Sequence, residues 1–177
     1  MPGDQGTLLI VEAGTGFCQT LTDRLVRERY QVVVARRGKE AKRALKNGDI
    51  DVVILGLHSL KRDGLAVLHM IKKLRPLTEV ILINTWEQLR LSMEAMKLGA
   101  FDDFLMPFDI QAMLSRIKEA CRRKRSRAER AAGILGSYRD AMTACAFAEA
   151  GEPEMARELF REGVRAGSTS KRKKENP

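Results

Sequence analysis

Cysteine, aromatic residues and long apolar runs are all scarce in this chain of 177 residues, and each shortage closes a class of answer. Cys18, Cys121 and Cys145 stand far apart with no CxxC spacing. That removes a disulfide framework and a thiolate metal centre, and leaves reduced thiols in a cytoplasm as the expectation. No stretch of about 18 apolar residues occurs, so a membrane span is not expected. The opening MPGDQGTLLIVEA lacks the basic start and apolar stretch of a secretory signal. Aromatics, 5% of residues, never interleave with basic residues as a base-reading surface would need. GxGxxG, GxxxxGK[ST] and GxSxG are missing, so nucleotide-binding and hydrolase readings lose their support. With no nucleophile–base pair or metal-ligand cluster at usable spacing, enzymatic activity is not expected.

What is present suits a folded soluble protein: 44% hydrophobic and 31% charged residues. The net charge of +9 is lopsided, since residues 1–120 give 18 − 15 = +3 and residues 121–177 give 14 − 8 = +6. Much of that excess lies in RRKRSR (Arg122–Arg127) and KRKK (Lys171–Lys174).

The first 120 residues alternate between two patterns. Short apolar or β-branched runs, Thr7–Glu12, Gln31–Ala35, Asp51–Leu57, Glu79–Thr85 and Phe101–Met106, read as strands covered on both faces. Between them lie helical periods: Phe17, Leu21, Leu25 and Val26; Ala41, Ala44 and Leu45; Leu65, Leu68, Ile71 and Leu74; Leu89, Met93 and Met96; Ile110, Met113, Leu114 and Ile117. Gly48 and Gly99 fall where the second and fourth helices should stop, Pro76 lies just past the third, and Asp109 suits an N-cap for the fifth. Five βα units in succession predict an α/β doubly wound parallel sheet. Function in such sheets gathers at the carboxyl ends of the strands, here Glu12–Gly14, Gly56–His58, Asn84–Trp86 and Met106–Pro107.

The segments LLIVEAGTGF, DVVILGLHSLKRDGLAVLHMIKKLRP and EAMKLGAFDDFLMPFD, in that order and spacing, resemble the receiver domain of bacterial response regulators over about residues 7–120. The resemblance implies a flavodoxin-like sheet in the order 2-1-3-4-5. It also implies a chemistry: an acidic pair and a strand-three aspartate hold Mg²⁺, the aspartate accepts phosphate from a histidine kinase, and a threonine and a lysine bind the phosphoryl oxygens. Register set by Asp63-Gly64 and Leu98-Gly99-Ala100 puts Gly56 at the phosphoacceptor position, Glu12-Ala13 at the acidic pair and Asn84 at the threonine. Met106 then stands at the lysine before Pro107, and Asp103 at the aromatic that relays the switch.

Only Glu12 retains a carboxylate, so neither phosphorylation nor Mg²⁺ binding is expected. Thr85 lies one residue off register and so on the opposite strand face. Asp51 opens its strand at the wrong end, Asp63 belongs to the following loop, and His58 and Ser59 read as polar residues of an exposed loop. The family's usual partner face, carried over, is Trp86, Gln88, Arg90, Leu91, Glu94, Lys97, Asp102, Asp103 and Arg116.

Beyond about residue 122 the reading is a basic linker or helix extension over 123–133, a helical hairpin over 134–167 and a disordered basic tail over 168–177. The hairpin's Ala144, Phe147, Gly151, Ala156 and Phe160 are similar to one tetratricopeptide repeat. The basic patch Arg122, Arg123, Lys124, Arg125 and Arg127 reads either as a solvated helix end or as a phosphate-contacting surface. Two functions follow as expectations. The first is a phosphorylation-incompetent, receiver-like protein of the cytoplasm, acting by contact with a histidine kinase, another receiver or its own copy. The alternative is a nucleic-acid-associated regulator working through the basic C-terminal third.

Overall fold

The structure, a computed structural model, describes residues 5–149 and 154–155. The chain divides into two compact units, Met1–Arg125 and Ser126–Pro177.

The first unit is built on strands β1 (Thr7–Val11), β2 (Gln31–Ala35), β3 (Val52–Gly56), β4 (Glu79–Asn84) and β5 (Asp102–Leu105). All are parallel, in the order β2-β1-β3-β4-β5. Helices α1 (Thr15–Arg27), α2 (Gly38–Asn47), α3 (Leu57–Leu60), α4 (Arg62–Leu74) and α5 (Leu89–Lys97) connect them, with a 3₁₀ turn at Trp86–Gln88. Helix α6 runs over Ile110–Glu149. This is the doubly wound sheet that the alternating pattern and the resemblance predict.

Alternation within the strands divides the core. Leu8, Ile10, Val52, Ile54, Ile81 and Ile83 pack with α1 and with Met113, Leu114 and Ile117 of α6. Leu9, Val11, Val53, Leu55, Val80 and Leu82 pack with α2, α4 and Ala95 of α5. The central strands β3 and β4 are buried throughout, but β2 is an edge and leaves Val33 and Val34 exposed, so double coverage fails there. Val26, expected inside, is likewise exposed.

Helix ends follow the punctuation. Gly99 at φ +93° closes α5 with two bonds, Gly99 N–H to Met96 O and Ala100 N–H to Ala95 O, a pairing that calls for a left-handed residue. Asp109 caps α6 through Oδ1, which accepts the Gln111 N–H at 2.9 Å.

Two expected faces are corrected. On α5 the buried side chains are Ser92 and Ala95, while Leu89, Met93 and Met96 face solvent. The inward face is completed by Leu91, which packs on the core, and by the Ser92 hydroxyl, which donates to the Asp103 carboxylate on the neighbouring strand at 2.8 Å. In the basic run, Lys124 is buried. Its ammonium donates to Asp49 Oδ1 at 2.6 Å, Ile50 O at 3.0 Å and Asp51 Oδ1 at 3.1 Å, using all three of its protons. Arg123 pairs with buried Glu79 at 3.1 Å, and Arg125 donates to Gln5 O at 3.2 Å. The compact unit therefore runs to Arg125.

In the second unit, Ile134, Leu135, Tyr138 and Met142 of α6 are exposed. The expected helix from Glu154 and the basic tail lie outside the described residues, apart from Glu154 and Met155, which are helical. No helix among the described residues is long and apolar enough to cross a membrane.

Candidate functional site

Parallel strands of a doubly wound sheet open a crevice where their carboxyl ends splay. Here Glu12 follows β1, Gly56 ends β3, Asn84 ends β4, and Met106-Pro107, joined by a cis peptide bond, follows β5. The sheet order puts β1 and β3 side by side at the centre, so Glu12 and Gly56 are neighbours.

Glu12 is 2% exposed. Its Oε1 accepts the Gly14 N–H at 2.8 Å. Its Oε2 lies 3.4 Å from Nε2 of His58, without the alignment of a hydrogen bond. The same oxygen sits directly over Gly56: a Cβ there would lie 1.8 Å from Oε2 and 2.9 Å from Cδ. Gly56 has φ −80°, which any residue accepts, so its glycine character matters for space. The carboxylate fills the room into which a side chain at 56 would project.

His58 and Ser59 do not form an exposed loop. They sit in α3, both half-buried. Ser59 Oγ donates to Gly56 O at 3.2 Å and accepts the Ala13 N–H at 3.3 Å, which ties the two loops together. The His58 ring meets Phe17 edge-on at 6.1 Å, Phe17 meets Phe108 at 6.2 Å, and Phe108 meets Phe104 at 5.4 Å. Sequence reasoning missed this aromatic run because its members come from α1, α3, β5 and the loop after β5.

Met106 faces this apolar side. With Phe17, Thr20, Leu21, Arg24, Pro107, Phe108 and Ile110 it lines a cavity of about 640 Å³. On the other side, Asn84 is fully buried and donates through Nδ2 to Asp103 Oδ2 at 3.3 Å, the oxygen that also accepts from Ser92. Asn84, Asp103 and Ser92 thus join β4, β5 and α5. Thr85 is committed elsewhere: its hydroxyl and N–H both bond the Gln88 amide in a capping box.

As titratable groups the crevice offers the Glu12 carboxylate and the His58 imidazole, beside the Ser59 hydroxyl and the Asn84 amide. Among the described residues no group of three or more His, Cys, Asp or Glu could hold a metal ion. Acidic and basic groups pair instead at the opposite end of the sheet, around Asp51, Glu79, Lys72, Arg123 and Lys124.

Of the expected partner face, Trp86, Arg90, Glu94 and Lys97 are exposed. Leu91 packs against the core and Gln88 is buried by its capping role. Asp102 and Arg116 bind one another, and Arg116 also stacks over Phe101 at 4.7 Å. The apolar residues Leu89, Met93 and Met96 join Trp86 there instead.

A family model described as the response regulator receiver domain matches residues 8–118. The transcriptional regulatory protein ZraR of Escherichia coli strain K12 is 27% identical over 120 residues, which are 68% of this chain and 27% of ZraR. The uncharacterized transcriptional regulatory protein YkoG of Bacillus subtilis is 29% identical over 126 residues, 71% of this chain and 55% of YkoG. The chain therefore spans from about a quarter to about half of these relatives. Among solved structures, a receiver domain protein from Clostridium thermocellum is 29% identical with a TM-score of 0.64, covering 68% of this chain and 97% of its own.

Proposed function

Because this chain belongs to the response regulator receiver family over residues 8–118, we propose that it is a receiver without the phosphoryl switch, a cytoplasmic module of a bacterial two-component-type pathway that works by protein contact. The observation that carries this reading is the Glu12 carboxylate lying over Gly56, 1.8 Å from any Cβ built there. No side chain stands at 56 to take a phosphoryl group, and the one remaining carboxylate occupies the place.

Mg²⁺, which receivers hold in an acidic pocket, does not fit these residues. A hard cation wants several oxygen ligands. Ala13 and Gly56 supply no side-chain oxygen, and Glu12 already accepts from Gly14 and faces His58. Met106 brings no charge to a phosphoryl group, and it packs with the apolar cluster under α1. The Asn84–Asp103–Ser92 bonds support a single arrangement of β4, β5 and α5, since a switch would have to break them.

The surface best suited to a protein partner is the face of Trp86, Leu89 and Met93, ringed by Arg90, Glu94 and Lys97. Trp86 is 73% exposed, and exposed apolar groups with a polar rim mark interaction sites. A histidine kinase or a second receiver is the class of partner. The nucleic-acid reading is weakened, because Lys124 and Arg123 serve buried carboxylates within the unit.

Treating the full chain with acetyl phosphate and Mg²⁺, then measuring intact mass, tests the proposal. The expected result is an unchanged mass. A stoichiometric adduct of one phosphoryl group, about 80 Da, would overturn it.

A further inference from the structure

A second cavity, of about 680 Å³, opens where the chain leaves β2. Arg36, Arg37 and Lys39 line it from the start of α2, and Leu60, Val67 and Met70 line it from α3 and α4. Ala13, which follows β1, is also part of the lining. The cavity therefore lies outside the carboxyl ends of β1 and β2, beside the helices that follow β3. In doubly wound sheets that is the region where ligands lodge. Small-molecule sites enclose roughly 300 to 1,000 Å³, so the size suits one.

The two linings differ in chemistry. Leu60, Val67 and Met70 belong to the apolar core under α2 and α4. The three cations are exposed, and among the described residues none of them forms an ion pair. The nearest acid along the chain is occupied by the backbone: Glu40 Oε2 accepts the Arg36 N–H at 2.8 Å. Gly38 brings the cationic segment down onto α4, since a Cβ there would lie 3.0 Å from Val67 Cγ2. Asp63 is the one acid in the lining, so its formal charge is 3 − 1 = +2. Like charges around one recess repel, and an anion among them relieves the repulsion.

We propose that this cavity binds a nucleoside di- or triphosphate. The phosphates meet Arg36, Arg37 and Lys39, where each guanidinium offers a fork of N–H donors matched to phosphate oxygens. The base lies on Leu60, Val67 and Met70, whose flexible thioether adapts to a flat ring. Asp63 can accept from a ribose hydroxyl or a base amino group. The glycine-rich loops missing from this chain cradle phosphate with backbone N–H groups, whereas here side chains serve. A nucleic-acid duplex carries its phosphates on a convex backbone and would touch the cations without reaching the apolar floor. The inference does not rest on the crevice being silent.

Isothermal titration of the full chain with ADP and with GDP, in EDTA and physiological salt, should give one site per chain for at least one of them. Inorganic pyrophosphate has the charge without the base, and adenosine and guanosine have the base without the charge. Each should bind at least tenfold more weakly than the better diphosphate. R36Q/R37Q should weaken that diphosphate at least tenfold with the unfolding midpoint unchanged, because both side chains are exposed. M70S should weaken it at least threefold and leave pyrophosphate as in the wild type. R122Q, in the basic run of α6, should change nothing. No binding of either diphosphate at about 1 mM would overturn the proposal. So would pyrophosphate binding as tightly as the diphosphates, an affinity indifferent to R36Q/R37Q, or displacement of the nucleotide by an equimolar DNA duplex.

Discussion

The Glu12 carboxylate and the α-carbon of Gly56 share one space: Oε2 lies 1.8 Å from the position of any Cβ at 56. Each residue suits the other. A glycine leaves the pocket that Glu12 fills, and any side chain at 56 must first displace the carboxylate.

Gly56→Ala should therefore cost stability through Glu12. The displaced carboxylate can swing away, since it is the end of a flexible side chain, but it gives up the Gly14 N–H while still near a low-dielectric wall. A loss of about 1 kcal/mol is expected, the scale of one charged hydrogen bond offset by partial hydration. In the Glu12→Ala background the same substitution should be close to neutral. Urea unfolding of the four proteins in that cycle measures the coupling, and equal costs in both backgrounds would refute it.

Lys124→Met should destabilise far more than a surface lysine would. It strips Asp51 of its cation while Asp51 stays mostly buried, accepting the Thr7 N–H at 2.9 Å. Removing one partner of a buried pair costs about 3 kcal/mol. Asp49→Ala should cost under about 0.5 kcal/mol, because Asp49 is 79% exposed. Thermal melts of the two variants at low and high salt separate these cases.

Asp103→Ala should uncouple β5 from α5. It leaves the fully buried Asn84 amide and the Ser92 hydroxyl without their shared acceptor. A cost of about 1–2 kcal/mol is expected for the stranded donors. Hydrogen exchange should quicken at α5 and at the end of β4, and the centre of β3 should hold its protection.

The thiols predict both reactivity and a pH trend. Burial raises the Cys18 thiol above its ordinary range, and burial with the nearby Asp51 charge pushes Cys121 up to about 11. Cys145 is exposed. A thiol reagent at pH 8 should modify one cysteine rapidly and two only on unfolding. Because the folded value for Cys121 is raised, its contribution is complete below about pH 9, the range where the unfolded thiol still holds its proton, and is gone above about pH 11. Stability should fall as pH rises through that window. Tyr30, pushed up to about 12 by burial, extends the fall. Denaturant midpoints at pH 8 and 10.5 should differ less in Cys121→Ala than in the wild type.

The sheet was legible because its signal is local. Runs such as DVVILGL and EVILIN cannot pack except between two layers, and Gly99 and Asp109 end and begin their helices through chemistry within a few residues. The expectation at the crevice rests on register alone, which sets Gly56, Ala13 and Met106, none with a charged side chain, at the strand ends. What fills the crevice could not be read that way. The approach of Glu12 to Gly56 and His58, and the Phe17–Phe108–Phe104 run, join segments far apart in sequence. The α5 face misled for a related reason. Periodicity assigned Leu89, Met93 and Met96 to the interior, but the inner face holds Leu91, Ala95 and Ser92, whose partner Asp103 lies on the next strand. The basic run misled because its cationic appearance hid three carboxylates, Asp49, Asp51 and Glu79, waiting at the base of the sheet.

The Lys124 anchor has a practical corollary for anyone cutting the chain. The family model matches to residue 118, yet Lys124, which pairs with Asp51, and Arg123, which shares Glu79 with Lys72, lie beyond it. A fragment trimmed to the family's edge would leave Asp51 without the Lys124 ammonium and Glu79 with Lys72 but without Arg123. One ending just past Arg125 would keep the foot closed.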